Sequence, residues 1–195
     1  MEEYVFQNPS IVSLSIPSKF IEFKKRWCFY TPNITTIEVS PKNPLYTVYE
    51  DKIIIGKSSK EEENFDVFVF SVRKIKKVAI QGYIKHIGSC SFDRCIQLRK
   101  VEIPVDSQLQ TIGTEAFSRT KIEFFYIPPH LTLIDEGSFR HCPKLKKIIV
   151  DENSELQTIH EYAFSETAIT SFYFPSHVEN VDENAFSFCP NMLVV

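Results

Sequence analysis

Hydrophobic positions along this chain recur on a long period, well beyond the 3.6 residues of a helix or the two of a strand. An apolar residue, four variable residues and a Phe repeat five times: Ile87 with Phe92, Ile112 with Phe117, Ile134 with Phe139, Ile159 with Phe164, and Val181 with Phe186. Successive Phe residues lie 25, 22, 25 and 22 positions apart. Each Phe except the last is followed by a segment with apolar residues at its first, fourth and sixth places: LRKVEI, IEFFYI, LKKIIV or ITSFYF. Two forms of the unit alternate. One carries Cys three residues after the Phe (Cys95, Cys142, Cys189); the other carries Thr there (Thr120, Thr167). The near-identical phrases DSQLQTIGTEAF and NSELQTIHEYAF are therefore the same place in two copies of a 47-residue double unit.

The pattern extends upstream. Phe6, Ile11, Leu14, Ile16 and Pro17 reproduce the Thr form, and Cys28 stands in the place of the Phe before Ile34, Ile37 and Val39. Phe70, followed by Ile75, Val78 and Ile80, opens a third unit, so residues 1–195 form one array of about eight units. One interval, from 28 to 70, is too long. It holds an insertion over residues 42–64, whose YTVYEDKIIIG stretch reads as a β-hairpin or an irregular lobe, followed by a charged, solvated loop, KSSKEEENFD.

A unit of about two dozen residues cannot bury its own apolar side, but stacked copies share a continuous core. The strands then run parallel at about 4.8 Å spacing in one long sheet. GTEAF and HEYAF are too short for true helices and predict single turns or 3₁₀ pieces. Pro residues at 17, 104, 128 and 175 end the strand segments.

The phrases IGTEAFSRTKIEFFYIPPHLTLIDEGSFRHCPKLKKI and VEIPVDSQLQTIGTEAF resemble the BspA-like leucine-rich repeats, and VSPKNPLYTVYEDKIIIGK resembles segments that interrupt such arrays. The resemblance covers essentially the whole chain. It implies a right-handed leucine-rich-repeat solenoid of the β-rich α/β class, with little true helix and one hairpin insertion. It also implies a non-enzymatic surface antigen or adhesion-type protein, of mucosal protozoan parasites or oral bacteria, that binds host or matrix proteins. It brings no catalytic, cofactor-binding or metal-ligating residues.

Composition narrows the function classes further. A net charge of −3 gives no general reason to expect nucleic acid. No stretch is long enough to span a bilayer. MEEYVFQNPS shows no basic segment followed by an apolar run, which supports, as the alternative to the surface location that the resemblance implies, an intracellular scaffold. Five Cys suit a reduced compartment. Cys95, Cys142 and Cys189 lie two layers apart and read as buried structural thiols, whereas Cys90 falls outside the repeat rule and reads as the most exposed. The five His (86, 130, 141, 160 and 177) form no ligand-type pair and read as surface residues. No Gly-rich phosphate loop or nucleophile–base ordering appears, so neither catalysis nor a cofactor is expected.

What remains are the outward strand positions. In the first-fourth-sixth pattern the third and fifth residues point away from the core: Lys77 and Ala79, Lys100 and Glu102, Phe124 and Tyr126, Lys147 and Ile149, Ser171 and Tyr173. Phe124, Tyr126, Ile149 and Tyr173 with Lys100, Glu102 and Lys147 make a candidate protein-binding face, since exposed aromatics beside basic residues are the composition of binding hot spots. Aromatics at these positions also stabilise a sheet by packing across strands. Arg73, Lys74, Lys76 and Lys77 read as a solvated basic patch. The final residue, Val195, stands at a fourth strand place, so a further alternative is a fragment of a longer repeat array, whose apolar end face is expected to fray or to associate end to end.

Overall fold

The computed structural model describes residues 10–23, 27–28 and 31–193. Phe6 and Val195 lie outside these described residues. Among the described residues fourteen short strands follow one another: β1 (Ser13–Ile16), β2 (Thr36–Val39), β3 (Tyr46–Tyr49), β4 (Ile53–Gly56), β5 (Val67–Ser71), β6 (Lys77–Ala79) and β7 (His86–Ile87). They continue as β8 (Lys100–Glu102), β9 (Thr111–Ile112), β10 (Phe124–Ile127), β11 (Leu133–Ile134), β12 (Lys147–Val150), β13 (Thr158–Ile159) and β14 (Asn180–Val181). Among the described residues there is no helix. The chain is a β-solenoid, as the repeat arithmetic requires.

The long sheet is present, but it runs along a different segment from the one expected. Its eight strands stand in the order β14-β13-β11-β9-β7-β5-β4-β3. Five of them are the two-residue strands that carry the repeated apolar residue before the Phe, with Ile87, Ile112, Ile134 and Ile159 in register. The first-fourth-sixth segments instead form three separate two-stranded parallel ladders, β1-β2, β6-β8 and β10-β12. Each ladder joins a Thr-form strand to the Cys-form strand that follows it. The alternation legible in the sequence thus reappears as alternate pairing.

Each Phe sits at the centre of a tight turn. The residues two before and two after it have positive φ: Glu115 (52°) and Arg119 (60°) around Phe117, Gly137 (60°) and His141 (57°) around Phe139, Tyr162 (57°) and Glu166 (58°) around Phe164. This geometry aims the Phe amide at the next layer, where Phe117 N donates to Ser138 O at 2.8 Å and Phe139 N to Ala163 O at 2.7 Å. Backbone groups buried between layers are thereby paired without a helix. The rings then stack through the core: Phe92 on Phe117 at 5.1 Å, Phe117 on Phe139 at 5.3 Å, Phe139 on Phe164 at 5.1 Å, and Phe164 on Phe186 at 5.2 Å. Phe68 supplies the ring that meets Phe92, while Phe70 lies against Trp27 and the Arg73 guanidinium.

The Thr and Cys positions explain the double unit. Thr120 Oγ1 lies 3.3 Å from Cys142 Sγ, and Thr167 Oγ1 lies 3.3 Å from Cys189 Sγ. Each thiol also donates to the carbonyl of the preceding Phe, Cys142 to Phe117 O at 3.1 Å and Cys189 to Phe164 O at 3.2 Å. One small hydroxyl facing one thiol satisfies both where two large side chains would not fit.

The insertion extends the sheet. β3 and β4 pair antiparallel around Glu50 and Asp51, both with positive φ, the two-residue turn whose twist suits a hairpin. β4 pairs antiparallel with β5, with a bulge between Ile54 and Ile55. Asn43 fastens the entry, donating to Pro17 O and Phe20 O and accepting from the Leu45 and Tyr46 amides. The charged loop is tied rather than loose: buried Asp66 accepts from Ser58 N at 2.8 Å and Ser58 Oγ at 2.7 Å, and Lys85 pairs with Glu62 at 2.8 Å.

Candidate interaction face

The outward residues fall into three groups set by the ladders. On β1-β2 they are Ser13, Ser15, Thr36 and Glu38, all small or polar. On β6-β8 Lys77 stands opposite Lys100 and Ala79 opposite Glu102. Lys100 Nζ lies 2.5 Å from Glu102 Oε1, and that hydrogen bond holds the Glu102 carboxyl below its usual range. On β10-β12 Phe124 stands opposite Lys147 and Tyr126 opposite Ile149. Phe124 is 41% exposed and Ile149 40%. Tyr126 is half-buried, and its hydroxyl donates to Asp151 Oδ2 at 2.6 Å. Burial first, and then the Asp151 carboxylate, push the Tyr126 hydroxyl up to about 12. In return that hydrogen bond holds the Asp151 carboxyl low.

Of the sequence candidates, the structure thus brings Phe124, Tyr126, Lys147 and Ile149 onto one ladder and sets Lys100 and Glu102 on another. Tyr173, 72% exposed, lies beyond both, on a segment that joins no ladder. Asp151, which orients Tyr126, was missed; its place just after the strand gives it no mark in the repeat pattern. Also missed was an apolar cleft of about 820 Å³ in the last described layers, lined by Phe172, Phe174, Phe186, Phe188, Met192 and Leu193. One of its rings, Phe186, belongs to the Phe column that is covered elsewhere by a further layer.

Two sequence readings are corrected. Cys90 is fully buried, and the half-buried Cys189 is the most accessible thiol among those described. Arg73, grouped with the solvated lysines, is 3% exposed. It takes the place that Thr occupies in other Thr-form units, and its Nη1 donates to Cys90 O at 3.3 Å and Ser91 O at 3.1 Å. Near it lies buried Asp93, standing where later units carry Ser118, Arg140, Ser165 and Ser187. Burial raises the Asp93 carboxyl pKa, opposed by Arg73, Arg94 and Arg119. Asp93 forms its ion pairs with Arg94 and Arg119, each at 3.6 Å, and Arg73 adds its charge from the Thr place of this joint, where the array resumes after the insertion.

Other candidate chemistry is dispersed. The buried Cys95 and Cys142 thiols are pushed up to about 11 by desolvation. His130, His141 and His160 each face a carboxylate of the next layer, Glu155, Glu166 and Asp182 respectively. Among the described residues no group of His, Cys, Asp and Glu is placed to hold a metal ion, and no helix is long and apolar enough to cross a membrane.

Comparison with known proteins agrees with this architecture. Among solved structures, a leucine-rich repeat protein from Eubacterium ventriosum superposes with a TM-score of 0.63 at 17% identity, covering 92% of this chain and 59% of its own. The pneumococcal vaccine antigen PcpA superposes with a TM-score of 0.59 at 12% identity, covering 88% of this chain and 46% of its own. The chain therefore spans about half the length of these structures, and at such identity the likeness is one of fold. No curated protein matches. The model of the BspA type leucine rich repeat region matches residues 1–51 and 63–193 in six copies. With the repeat register, the Phe column and that match over most of its length, the chain belongs to the BspA-type leucine-rich-repeat family.

Proposed function

We propose that this chain is a non-enzymatic module that binds another protein through the strand face centred on Phe124, Tyr126, Lys147 and Ile149, with Lys100, Glu102 and Tyr173 at its margins. One observation carries the reading. The other two ladders show no large apolar residue outward, whereas β10-β12 shows Phe124 and Ile149 exposed beside an in-register lysine. Large apolar groups held on a rigid sheet, at small entropic cost, are what binding hot spots use. A surface-antigen or adhesion role toward host or matrix proteins fits the family, and one structural neighbour is itself a vaccine antigen. The competing location is intracellular, as a scaffold; protease shaving of intact cells separates the two. For the face itself, a partner is captured and its affinity measured against Phe124→Ala/Tyr126→Ala/Tyr173→Ala. We expect a loss of about 2 kcal/mol or more. An unchanged affinity removes this face from consideration.

The apolar cleft around Phe172, Phe174, Phe186 and Phe188 favours a second reading, stacking of this end on a further unit or on a second copy of the chain. Light scattering tests it: a monomer at high concentration counts against self-association.

A further inference from the structure

The fold sorts the charges of a nearly neutral chain. Four equivalent six-residue windows, 74–79, 97–102, 121–126 and 144–149, stack on successive layers and hold nine of its 22 cations but only two of its 25 carboxylates. That leaves seven net positive charges here and ten net negative ones on the other 13 cations and 23 carboxylates. The alignment is set by the backbone: Lys77 is in register with Lys100, Arg99 N donates to Lys76 O, and Lys146 N donates to Glu123 O.

Both carboxylates are already engaged, Glu102 by Lys100 and Glu123 by Arg99 at 3.9 Å. The remaining cations of the strip, Lys76, Lys77, Lys146 and Lys147 among them, are exposed and form no ion pair among the described residues. Like charges opposite one another on a ladder destabilise it, and a surface shaped only by solubility mixes its signs. An in-register Lys77–Lys100 pair that shares the single carboxylate of Glu102, flanked by unpaired lysines, is the arrangement that an anionic partner relieves. The kind of anion follows from what lies inside the strip. Phe124, Tyr126 and Ile149 present an apolar surface beside Lys147, which stands opposite Phe124; Asp151 bonds the Tyr126 hydroxyl at its edge, and Glu102 takes the place of Tyr126 in the preceding layer. A uniform polyphosphate or sulfated chain gains nothing from the apolar centre and is repelled at that edge.

We infer that the strip takes a carboxylate-rich segment of another protein, interrupted by apolar side chains and laid across the layers. This rests on the protein-binding reading above and narrows it to a partner class. The test uses a fluorescein-labelled peptide of Asp and Glu interrupted by two Leu, its Asn/Gln counterpart, and a heparin oligosaccharide, with anisotropy as the readout. The acidic peptide is expected to bind at about 10 mM salt and to be released at about 1 M, where screening shortens from about 30 Å to about 3 Å. The Asn/Gln peptide is not expected to bind. Lys76→Glu/Lys77→Glu/Lys146→Glu/Lys147→Glu, all exposed positions, weakens binding about a hundredfold while the circular dichroism spectrum stays unchanged. An acidic peptide that fails to bind, binding that survives charge reversal, or tighter binding of heparin than of the peptide each overturns the inference. Loss of a captured partner on aromatic truncation, with no effect of charge reversal, keeps the protein-binding face and removes the acidic partner. Peptide binding that depends on the lysines but not on Phe124, Tyr126 and Tyr173 does the reverse.

Discussion

Phe139→Ala tests the stacking on which the whole architecture rests. Phe139 is fully buried, with Phe117 at 5.3 Å on one side, Phe164 at 5.1 Å on the other, and Phe125 edge-on at 4.8 Å. Truncation removes the transfer free energy of a buried ring and leaves a cavity between two layers, a loss of about 3 to 5 kcal/mol for Phe→Ala. The upper half of that range applies, because three ring contacts vanish together and the backbone ladder on both sides resists collapse. Phe186 is a useful contrast: half-buried, with Phe172 and Phe174 edge-on and Phe164 stacked at 5.2 Å, but with no ring stacked on its other face among the described residues. Its truncation is expected to cost about half as much, since a repeat array sums nearest-neighbour interfaces. Urea unfolding followed by circular dichroism gives both values. Hydrogen exchange adds the spatial test: amides of the adjoining layers, Phe117 and Phe164, lose protection before those of β1 and β2. Equal losses for the two variants, or a Phe139→Ala cost below about 1.5 kcal/mol, would refute the shared-core reasoning.

Arg73→Met is expected to cost about 3 kcal/mol by leaving Asp93 buried beside one fewer cation, whereas Arg73→Met/Asp93→Ser costs less than about 1.5 kcal/mol; a double-mutant cycle in urea measures the coupling, and additive losses refute it. Gly137→Ala, at a φ of 60° with the new Cβ 3.4 Å from Glu115 Cγ, lowers stability by about 1 kcal/mol; no change in the unfolding midpoint counts against strain there. In the native protein at pH 8, iodoacetamide modifies Cys189 first and leaves Cys90, Cys95 and Cys142 intact until denaturant is added, read by peptide mass mapping; early labelling of Cys90 restores the sequence reading of that residue.

Much of this fold was legible because a solenoid writes each layer into the chain in turn. The Phe spacings, the Thr/Cys alternation and the apolar residue before each Phe are local features, and stacking identical units leaves few ways to arrange them. The hairpin was legible too, through Glu50 and Asp51 between β-branched runs. The face was half legible: periodicity marked Phe124, Tyr126 and Ile149 as outward, but nothing in it separated one ladder from the next.

What the sequence by itself determined, then, is the layer: its period, its buried column and its outward positions, all consequences of neighbours along the chain. The tertiary structure alone decided how layers meet. It placed the continuous sheet on two-residue strands too short for any pattern to announce. It buried Arg73 against Cys90 and Ser91, because residues 17 and 18 positions apart came to share one interior. It also gathered lysines spaced about two dozen residues apart into a single strip, since electrostatic potential depends on distance through space, and a near-neutral total conceals how its parts are arranged.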